Sequence, residues 1–233
     1  MKFPPTRLFA AVGVAASLLL VPALKANLLS SANETQLESW LGQGDLDFTN
    51  IFTKVLGDGQ NATNFHGAVD NKGPTFVLMS VYGDGGVASR PDLPSQIIGG
   101  YDPLSWSTNG LDMSDAGQTG FIFNLTSSEF RAQIGGGTYN HFAWGPTFGH
   151  LGDITTYFGL ENGYASNGSY FSGGTNDSIT LGSGLGTSSY FIASLEVYTF
   201  SPVPSSNVPD AAGTLGLLGA TLLALAALRR QVV

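Results

Sequence analysis

Apolar residues are concentrated at both ends of the chain and in short runs between them. Near the N-terminus, two basic residues precede an apolar segment over 8–21. This order is typical of a secretory signal peptide, with cleavage after Ala23 or after Ala26. Pro22 and the small residues at the end favour removal over a permanent membrane anchor. We therefore predict that residues 1–26 are a signal peptide and lie outside the fold.

The C-terminal end has three parts: a Val-Pro-Asp tripeptide, an apolar run over 215–228, and a pair of arginines. The residues that flank the apolar run are Val208, Pro209, Asp210, Arg229 and Arg230. The run is shorter than the roughly 20 residues of a comfortable membrane helix, although residues 211–214 can extend it. Because arginines resist translocation, we expect the C-terminus in the cytoplasm and the preceding domain outside.

This tail resembles the PEP-CTERM class of bacterial sorting signals, in its Val-Pro-Asp variant. The common form of that variant has Ser-Gly after the tripeptide, where this chain has Ala211 and Ala212. The resemblance implies export by the secretion machinery and recognition near residues 208–210 by an exosortase, a membrane-embedded protease. It further implies anchoring in the inner membrane before cleavage and transfer to the cell envelope or extracellular matrix. An ordinary C-terminal anchor is the alternative for residues 208–233.

Between the two ends, residues 27–207 have the patterns of a mainly β domain. Three runs, over 76–82, 97–101 and 120–125, are almost entirely apolar, as in strands buried on both faces. Residues 190–197 alternate with a period of two, which predicts a strand with unlike faces that closes the sheet. No pattern repeats at a fixed period.

Helical patterns occur mainly at the start of this domain. Ser31 and Glu34 form a possible capping box for a short helix that ends at Gly42. Apolar residues at helical spacing predict a second helix over 48–56, ended by Gly57. Two aspartates precede it and are interpreted as N-caps, because the local sequence lacks the glycine and glutamate of an EF-hand loop.

Charge and cysteine content exclude several functions. Residues 27–207 carry four basic and sixteen acidic side chains, so their formal charge is 4 − 16 = −12. Such a field repels phosphate backbones and anionic lipids, and nucleic-acid binding is therefore excluded. The chain has no cysteine, which removes disulfides, thiolate metal sites and thiol catalysis.

Several segments, in order along the chain, resemble the TLDc domain family. They are the run Phe65-His66-Gly67-Ala68-Val69-Asp70-Asn71-Lys72-Gly73-Pro74-Thr75, the run Ile98-Gly99-Gly100-Tyr101 before Trp106, and residues 121–125, 145–149 and 195–198. The signature positions are Phe65, His66, Asp70, Gly73, Pro74, Gly99, Gly100, Trp106, Gly145, Phe148, Gly149 and Glu196. We interpret these positions as mainly structural. Many family members have a cysteine at the position of Val69, and residues 83–95 form a longer insertion.

The TLDc resemblance covers about residues 40–200. It implies a sandwich of two antiparallel β-sheets with a few short helices, which is α+β by content. With hydrophobic helices at both termini, this is the fold class that we expect. It also implies a module that acts through partners and has no established catalytic centre. The oxidative-stress and proton-pump roles of eukaryotic members are intracellular, and we do not transfer them to an exported chain.

Catalytic and metal-binding motifs give little support for an enzyme. The chain has no G-x-S-x-G, H-E-x-x-H or P-loop motif. His66 and Asp70 are four residues apart and could form a hydrogen bond that serves either local structure or proton transfer in a hydrolase. His141 and His150 lack a third ligand nearby in the sequence. We predict neither a metal nor another cofactor.

Aromatic residues in or beside loops provide an alternative function. Tyr101, Trp106, Tyr139, Trp144 and Tyr170 could stack on the sugar rings of an extracellular polysaccharide. The two tryptophans coincide with family segments, and for them we favour the interpretation as core residues. The sequence thus predicts an exported, exosortase-sorted, noncatalytic interaction module with an envelope protein or exopolysaccharide as partner. A lectin-like domain is the alternative, and a hydrolase is a third hypothesis.

Overall fold

The computed structural model describes residues 27–83, 95–113, 116–149, 153–166, 171 and 189–204. The predicted signal peptide and sorting tail lie outside the described residues, and so do both expected terminal helices. Within the described ranges, no helix has the length and apolar character needed to cross a membrane.

The described residues form two short helices and ten strands. The helices are α1 (Ser31–Leu41) and α2 (Ala62–Val69). The strands are β1 (Leu46–Val55), β2 (Thr75–Gly83), β3 (Gln96–Asp102), β4 (Leu111–Met113), β5 (Phe121–Asn124), β6 (Glu129–Ala132), β7 (Thr138–Asn140), β8 (Thr155–Thr156), β9 (Asn162–Tyr164) and β10 (Ser189–Pro202). The expectation of a mainly β fold is confirmed, and the three apolar runs coincide with β2, β3 and β5.

Eight of these strands form one antiparallel sheet that curls into a half-barrel. Its order is β6-β5-β3-β2-β10-β9-β8, and β1 also pairs with β10. In the described part of the chain, the other sheet contains only β4 and β7. The described strands therefore do not confirm a sandwich of two comparable sheets.

Strand β10 is central, so the expectation that it closes the sheet is wrong. Residues 190–198 pair with β2 along one side. On the other side, residues 189–191 pair with β9 and residues 194–202 pair with β1. Strand β10 has fourteen residues, so one of its sides is long enough to pair first with β9 and then with β1. The period-two alternation of residues 190–197 therefore does not identify an edge strand.

The helix predicted over 48–56 is also wrong, because these residues belong to β1. The pairing of β1 with β10 has a register shift between Asn50 and Phe52, which is a β-bulge. A bulge inserts one residue and moves later side chains to the opposite face. Apolar positions on either side of the bulge consequently show a spacing close to that of a helix, although strand pairing determines the conformation.

Helix α1 is confirmed, with one change at its start. The N-cap is Ser30, whose side chain accepts a hydrogen bond from the Asn33 N–H, so the cap lies one residue earlier than predicted. Gly42 ends the helix in the left-handed region at φ 71°. Helix α2 was not predicted, because eight residues that include Gly67 give a weak periodic signal.

The large sheet is buried on both faces, which produces two apolar cores. The core on the α2 side includes Phe65, Val77, Met79, Trp106 and Phe148. The core on the α1 side includes Leu37, Phe76, Leu78, Tyr101 and Phe123. Successive β2 residues alternate between these cores, as consecutive side chains in a strand must. The continuous apolar runs of the sequence are explained by this double burial.

Candidate functional site

The strongest polar constellation of the family signature is centred on His66. Its Nδ1 lies 2.7 Å from Oδ1 of Asp70, and its Nε2 lies 3.1 Å from the carbonyl oxygens of both His141 and Trp144. The His66 side chain is 7% exposed and that of Asp70 is 19% exposed. We call these two side chains and two carbonyl groups the His66 clasp.

Local sequence positions both side chains of the clasp. Asn61 caps α2 and exchanges hydrogen bonds with Asn64 in a capping box. His66 lies in the last turn of the helix, and Asp70 is its C-cap residue four positions later. Residues four apart are neighbours on a helix surface, so the carboxylate comes within reach of the ring. The clasp then fixes the loop over 141–144 against the helix.

Trp106 organises the remaining part of the signature. Its fully buried ring lies 5.4 Å from Phe65 and 5.5 Å from Phe148, measured between ring centroids. Its Nε1–H donates to Oγ1 of Thr75 at 2.8 Å. The backbone carbonyl of Trp106 accepts a hydrogen bond from the N–H of Asn71. The segment between α2 and β2 is therefore tied to this tryptophan at several points.

Four of the five signature glycines occupy places where a side chain does not fit, and the fifth, Gly73, has a left-handed backbone at φ 80°. A Cβ atom at Gly99 would overlap the carbonyl oxygen of Val77, and one at Gly100 would meet the ring of Phe148 at 2.6 Å. Two further signature glycines are also in close contact, since Gly145 packs against Leu160 and Gly149 lies beside Asp153. The backbone N–H of Gly73 donates a hydrogen bond to Oγ of Ser105. Pro74 is exposed at the start of β2.

The loop held by the clasp presents an exposed aromatic surface. The Phe142 side chain is 63% exposed, and the half-buried ring of Trp144 lies 5.6 Å from the exposed ring of Tyr157. The rings of Tyr139 and His141 stack at 5.8 Å. We call this surface the aromatic face; it consists of Tyr139, His141, Phe142, Trp144, Tyr157 and Phe158.

The predicted sugar-stacking residues separate into three groups. Tyr101 and Trp106 are buried, so neither ring is a surface platform. Tyr139 and Trp144 are half-buried on the aromatic face. Tyr170 lies outside the described residues, as does His150, and the described ranges contain no group of three potential metal-binding side chains.

Sequence reasoning missed Phe142, Tyr157 and Phe158, which are the most exposed rings of the aromatic face. Phe142 and Tyr157 belong to the two adjoining loops, over 141–147 and 157–161, and no period-two or helical spacing distinguishes them from core residues. The backbone N–H of Ala62 donates to the carbonyl of Phe158, which holds the second loop at the start of α2. Their exposure depends on this docking, so no local sequence signal would have found them.

A separate groove with aromatic walls lies between α1 and the β6 edge of the sheet. Its volume is about 360 Å³, and its walls include Trp40, Tyr101, Phe121 and Phe130. Uncharged side chains, among them Gln118, complete the lining, and no charged residue of the described ranges takes part. We call this cavity the aromatic groove. The Phe130 side chain is 41% exposed, and its ring lies 5.8 Å from that of Trp40 between centroids.

Glu196, the last signature residue, lies on the α1 side of the sheet. Its Oε2 accepts hydrogen bonds from the Tyr198 hydroxyl at 2.6 Å and from the Leu28 N–H at 2.9 Å. Burial raises the pKa of Tyr198, and the hydrogen bond to Glu196 and its negative charge raise that pKa further. The phenol is thereby kept as a hydrogen-bond donor to the carboxylate.

These features define a mainly antiparallel β domain that is organised around a buried histidine–aspartate pair and a buried tryptophan. The TLDc domain matches residues 25–201, which is more than half of the chain. The chain therefore belongs to the TLDc domain family. No curated protein matches it significantly.

Proposed function

We propose that this chain is an exported, noncatalytic interaction module of a bacterial cell envelope or extracellular matrix. The observation that carries the noncatalytic part is the closure of the His66 clasp. Both ring nitrogens face oxygen atoms of the protein, and the ring is only 7% exposed. A histidine that transfers a proton to substrate needs one nitrogen within reach of that substrate.

The geometry of the clasp argues against the hydrolase hypothesis. A hydrolase that uses His66 and Asp70 requires both side chains to line an open pocket. Neither residue lines the aromatic groove or the cavity of about 340 Å³ on the α1 side of the sheet. The backbone carbonyls of His141 and Trp144 occupy the space beside Nε2 where a reacting group would have to lie. The contacts therefore support a structural role for the pair.

The aromatic face supports an interaction role. Large aromatic side chains are enriched at the centres of protein interfaces, because they bury much area and lose little conformational entropy. Phe142, Tyr157 and Phe158 expose 63%, 42% and 47% of their surface on two adjoining loops. The clasp holds one of these loops in place, so the face is ordered before a partner arrives. Preorganisation of this kind favours binding.

Partner binding can be tested with matched variants of exposed apolar residues. We expect the full-length chain to bind saturably to isolated envelopes or matrix, and we expect Phe142→Ala to weaken that binding. Val203→Ala is the control, because Val203 is also exposed but belongs neither to the aromatic face nor to the aromatic groove. Equal binding by wild type and Phe142→Ala would remove the aromatic face from the proposal.

Export and sorting rest on the terminal sequence patterns. We propose cleavage of the signal peptide after Ala23 or Ala26 and exosortase processing near residues 208–210. Mass spectrometry of the protein recovered from a host with an exosortase would then show loss of both ends. Recovery of the intact chain in the cytoplasm would contradict export. A protein that has lost the signal peptide but kept residues 208–233 would indicate an ordinary anchor.

Carbohydrate binding is the second candidate function, and the aromatic groove is the observation that favours it. The partly exposed rings of Trp40 and Phe130, with an uncharged amide and hydroxyl rim, provide stacking and hydrogen bonding for a neutral sugar. A glycan array, with and without calcium, should show binding that Phe130→Ala abolishes and that Phe142→Ala leaves intact. If wild type binds no glycan under either condition, this candidate is wrong.

A further inference from the structure

The loop over 157–161, between β8 and β9, carries two rings of the aromatic face and one buried anchor. Tyr157 and Phe158 are exposed, whereas Leu160 is fully buried in the core on the α2 side of the sheet. We call this loop the strap. The strands that it connects have only two and three residues, so little regular structure supports it. Its position therefore depends on a small number of contacts.

Backbone hydrogen bonds hold the strap from two directions. The N–H of Ala62, at the start of α2, donates to the carbonyl of Phe158 at 2.7 Å. The N–H of Ile192, in β10, donates to the carbonyl of Glu161 at 2.9 Å. The strap is thus fixed to α2 and to the large sheet in the structure, and we call this arrangement the closed strap.

Leu160 adds both an anchor and a source of strain to the closed strap. A Cβ atom at Gly145 would lie 2.3 Å from Cδ2 of Leu160, so this packing joins the strap to the loop over 141–147. The φ of Leu160 is 53°, in the left-handed region that is unfavourable for a residue with a side chain. The closed strap therefore stores backbone strain, which opening would release.

Lys54 lies on the face of β1 that points toward the strap and α2. Phe52, two residues earlier on the same strand, belongs to the core on the α2 side, so Lys54 points to that side as well. The Lys54 side chain is fully buried. The charges that act on it are those of Glu161, in the strap, and Asp58, in the turn before α2. The ammonium group is therefore enclosed where the strap meets the start of α2.

No acceptor among the described residues satisfies this ammonium group. Nζ of Lys54 is buried and has no hydrogen-bond partner there, and no ion pair of the described ranges includes it. The carboxylate of Asp58 instead accepts hydrogen bonds from the N–H groups of Val55 and Gln60, and Glu161 is exposed. Burial lowers the pKa of Lys54, and the two carboxylates oppose this only in part. The closed strap thus disfavours the charged form, which water would stabilise.

The enclosed ammonium and the left-handed Leu160 are two costs that strap opening relieves together. We propose that the strap is a conformational switch of the aromatic face, and that the buried Lys54 ammonium sets its opening equilibrium. Opening hydrates Lys54 and withdraws Tyr157 and Phe158 from the aromatic face, and closing restores that face. This inference deepens the proposed interaction function and rests on it, because it states how the binding surface is regulated.

Amide hydrogen exchange of the full-length protein in mild detergent measures strap opening without any partner. The reporters are the N–H groups of Ala62 and Ile192, because their acceptors are carbonyl groups of the strap. Amides of β2 are the reference, since that strand is paired on both sides. In wild type, we expect the reporters to exchange at least about tenfold faster than the reference, as in local opening.

A matched pair of lysine variants tests the role of the buried charge. Lys54→Met removes the charge and keeps an unbranched side chain, so exchange of both reporters should slow at least about tenfold. Lys72→Met is the control, because Lys72 is exposed, and it should leave the reporters unchanged. Urea unfolding gives a second measurement. The midpoint should rise in Lys54→Met, whereas replacing a lysine that only supports the fold would lower it.

Three results would overturn the proposal. They are unchanged or faster reporter exchange in Lys54→Met, a Lys54→Met protein that is less stable than wild type or fails to fold, and equal slowing in Lys72→Met. The envelope-binding test with Phe142→Ala is independent of these measurements. Slower exchange in Lys54→Met without any envelope binding would reject the partner function and leave the switch standing. Unchanged exchange with binding that depends on Phe142 would reject the switch alone.

Discussion

His66 and Glu196 are buried ionisable side chains on opposite faces of the same sheet, and their surroundings differ in what remains open. In the His66 clasp, both ring nitrogens have oxygen partners from the protein. Around Glu196, two donors share Oε2, and Oε1 is left to a cavity of about 340 Å³. The His66 ring is enclosed by oxygen atoms of the protein, whereas one oxygen of Glu196 faces a cavity.

This difference shows why a signature residue is not automatically a functional site. The clasp contains the residue types of a catalytic pair, yet both ring nitrogens of His66 already lie against oxygen atoms of the protein. Glu196 belongs to the same family signature, and the tertiary structure leaves one of its oxygens available. The contacts of each side chain, rather than its residue type, therefore show which signature residue is enclosed and which one faces a cavity.

Removing the Trp106 side chain should destabilise the core on the α2 side of the sheet more than any other change considered. Trp106→Ala should lower the free energy of unfolding by about 3–5 kcal/mol, because it leaves a large cavity and removes the partner of Thr75. Urea unfolding followed by circular dichroism measures this loss. Trp144→Ala is the control, since that ring is half-buried, and an equal loss in the two variants would contradict the central role of Trp106.

Removing the imidazole would open the clasp itself. His66→Ala should cost about 1–3 kcal/mol in the free energy of unfolding, because Asp70 and two carbonyl groups lose their partner. The same urea experiment applies, with His141→Ala as the matched control because only the His141 carbonyl takes part in the clasp. An unchanged stability of His66→Ala would show that the clasp does not hold the loop.

Alkaline pH should lower the stability of the fold through Tyr198, which donates a hydrogen bond to Glu196. Its pKa in the folded state is raised above the ordinary value of 10.0, first by burial and then by the hydrogen bond and charge of Glu196. The folded protein then keeps a proton that the unfolded chain releases, so stability should fall as pH rises above about 10. The free energy of unfolding at pH 8 and pH 11 measures this fall.

Tyr198→Phe should reduce the alkaline loss of stability, because it removes the ionisable hydroxyl. Glu196→Gln should also reduce it, since the substitution removes two of the causes that raise the Tyr198 pKa. Part of the fall should persist in both variants, because burial also raises the pKa of Tyr190. An identical pH dependence in wild type and Tyr198→Phe would contradict this assignment.

The smallest effect is expected for Glu34. Glu34→Gln should change the free energy of unfolding by less than about 0.5 kcal/mol, because this half-buried side chain has no ion-pair partner among the described residues. Urea unfolding at neutral pH tests it, with Asp47→Asn alongside. A loss above about 1 kcal/mol would contradict this expectation and would mean that the Glu34 carboxylate makes a stabilising interaction.

Much of the architecture was predictable from local patterns. Helix α1 and strands β2, β3, β5 and β10 follow from capping residues, apolar runs and alternation, which act over a few residues. The errors involve long-range pairing. A bulge in β1 imitated helical spacing, and the central place of β10 depends on partners more than 100 residues earlier in the chain.

The candidate sites were less predictable than the fold. The contact between His66 and Asp70 could be anticipated because it is local, at four residues apart. Its closure by the carbonyls of His141 and Trp144 could not, since these lie 75 and 78 residues away. The two carboxylates that line the cavity on the α1 side of the sheet are likewise distant in sequence, at positions 34 and 196.

The sequence by itself determined the TLDc family signature, the mainly β character and the strongly acidic charge, because each depends on residue identity and local order. Only the tertiary structure decided which polar groups are satisfied and which remain open. A hydrogen bond requires a donor and an acceptor within about 3 Å of each other. For residues that are far apart in the sequence, strand register and loop docking set distances on that scale. His66 and Glu196 differ for this reason.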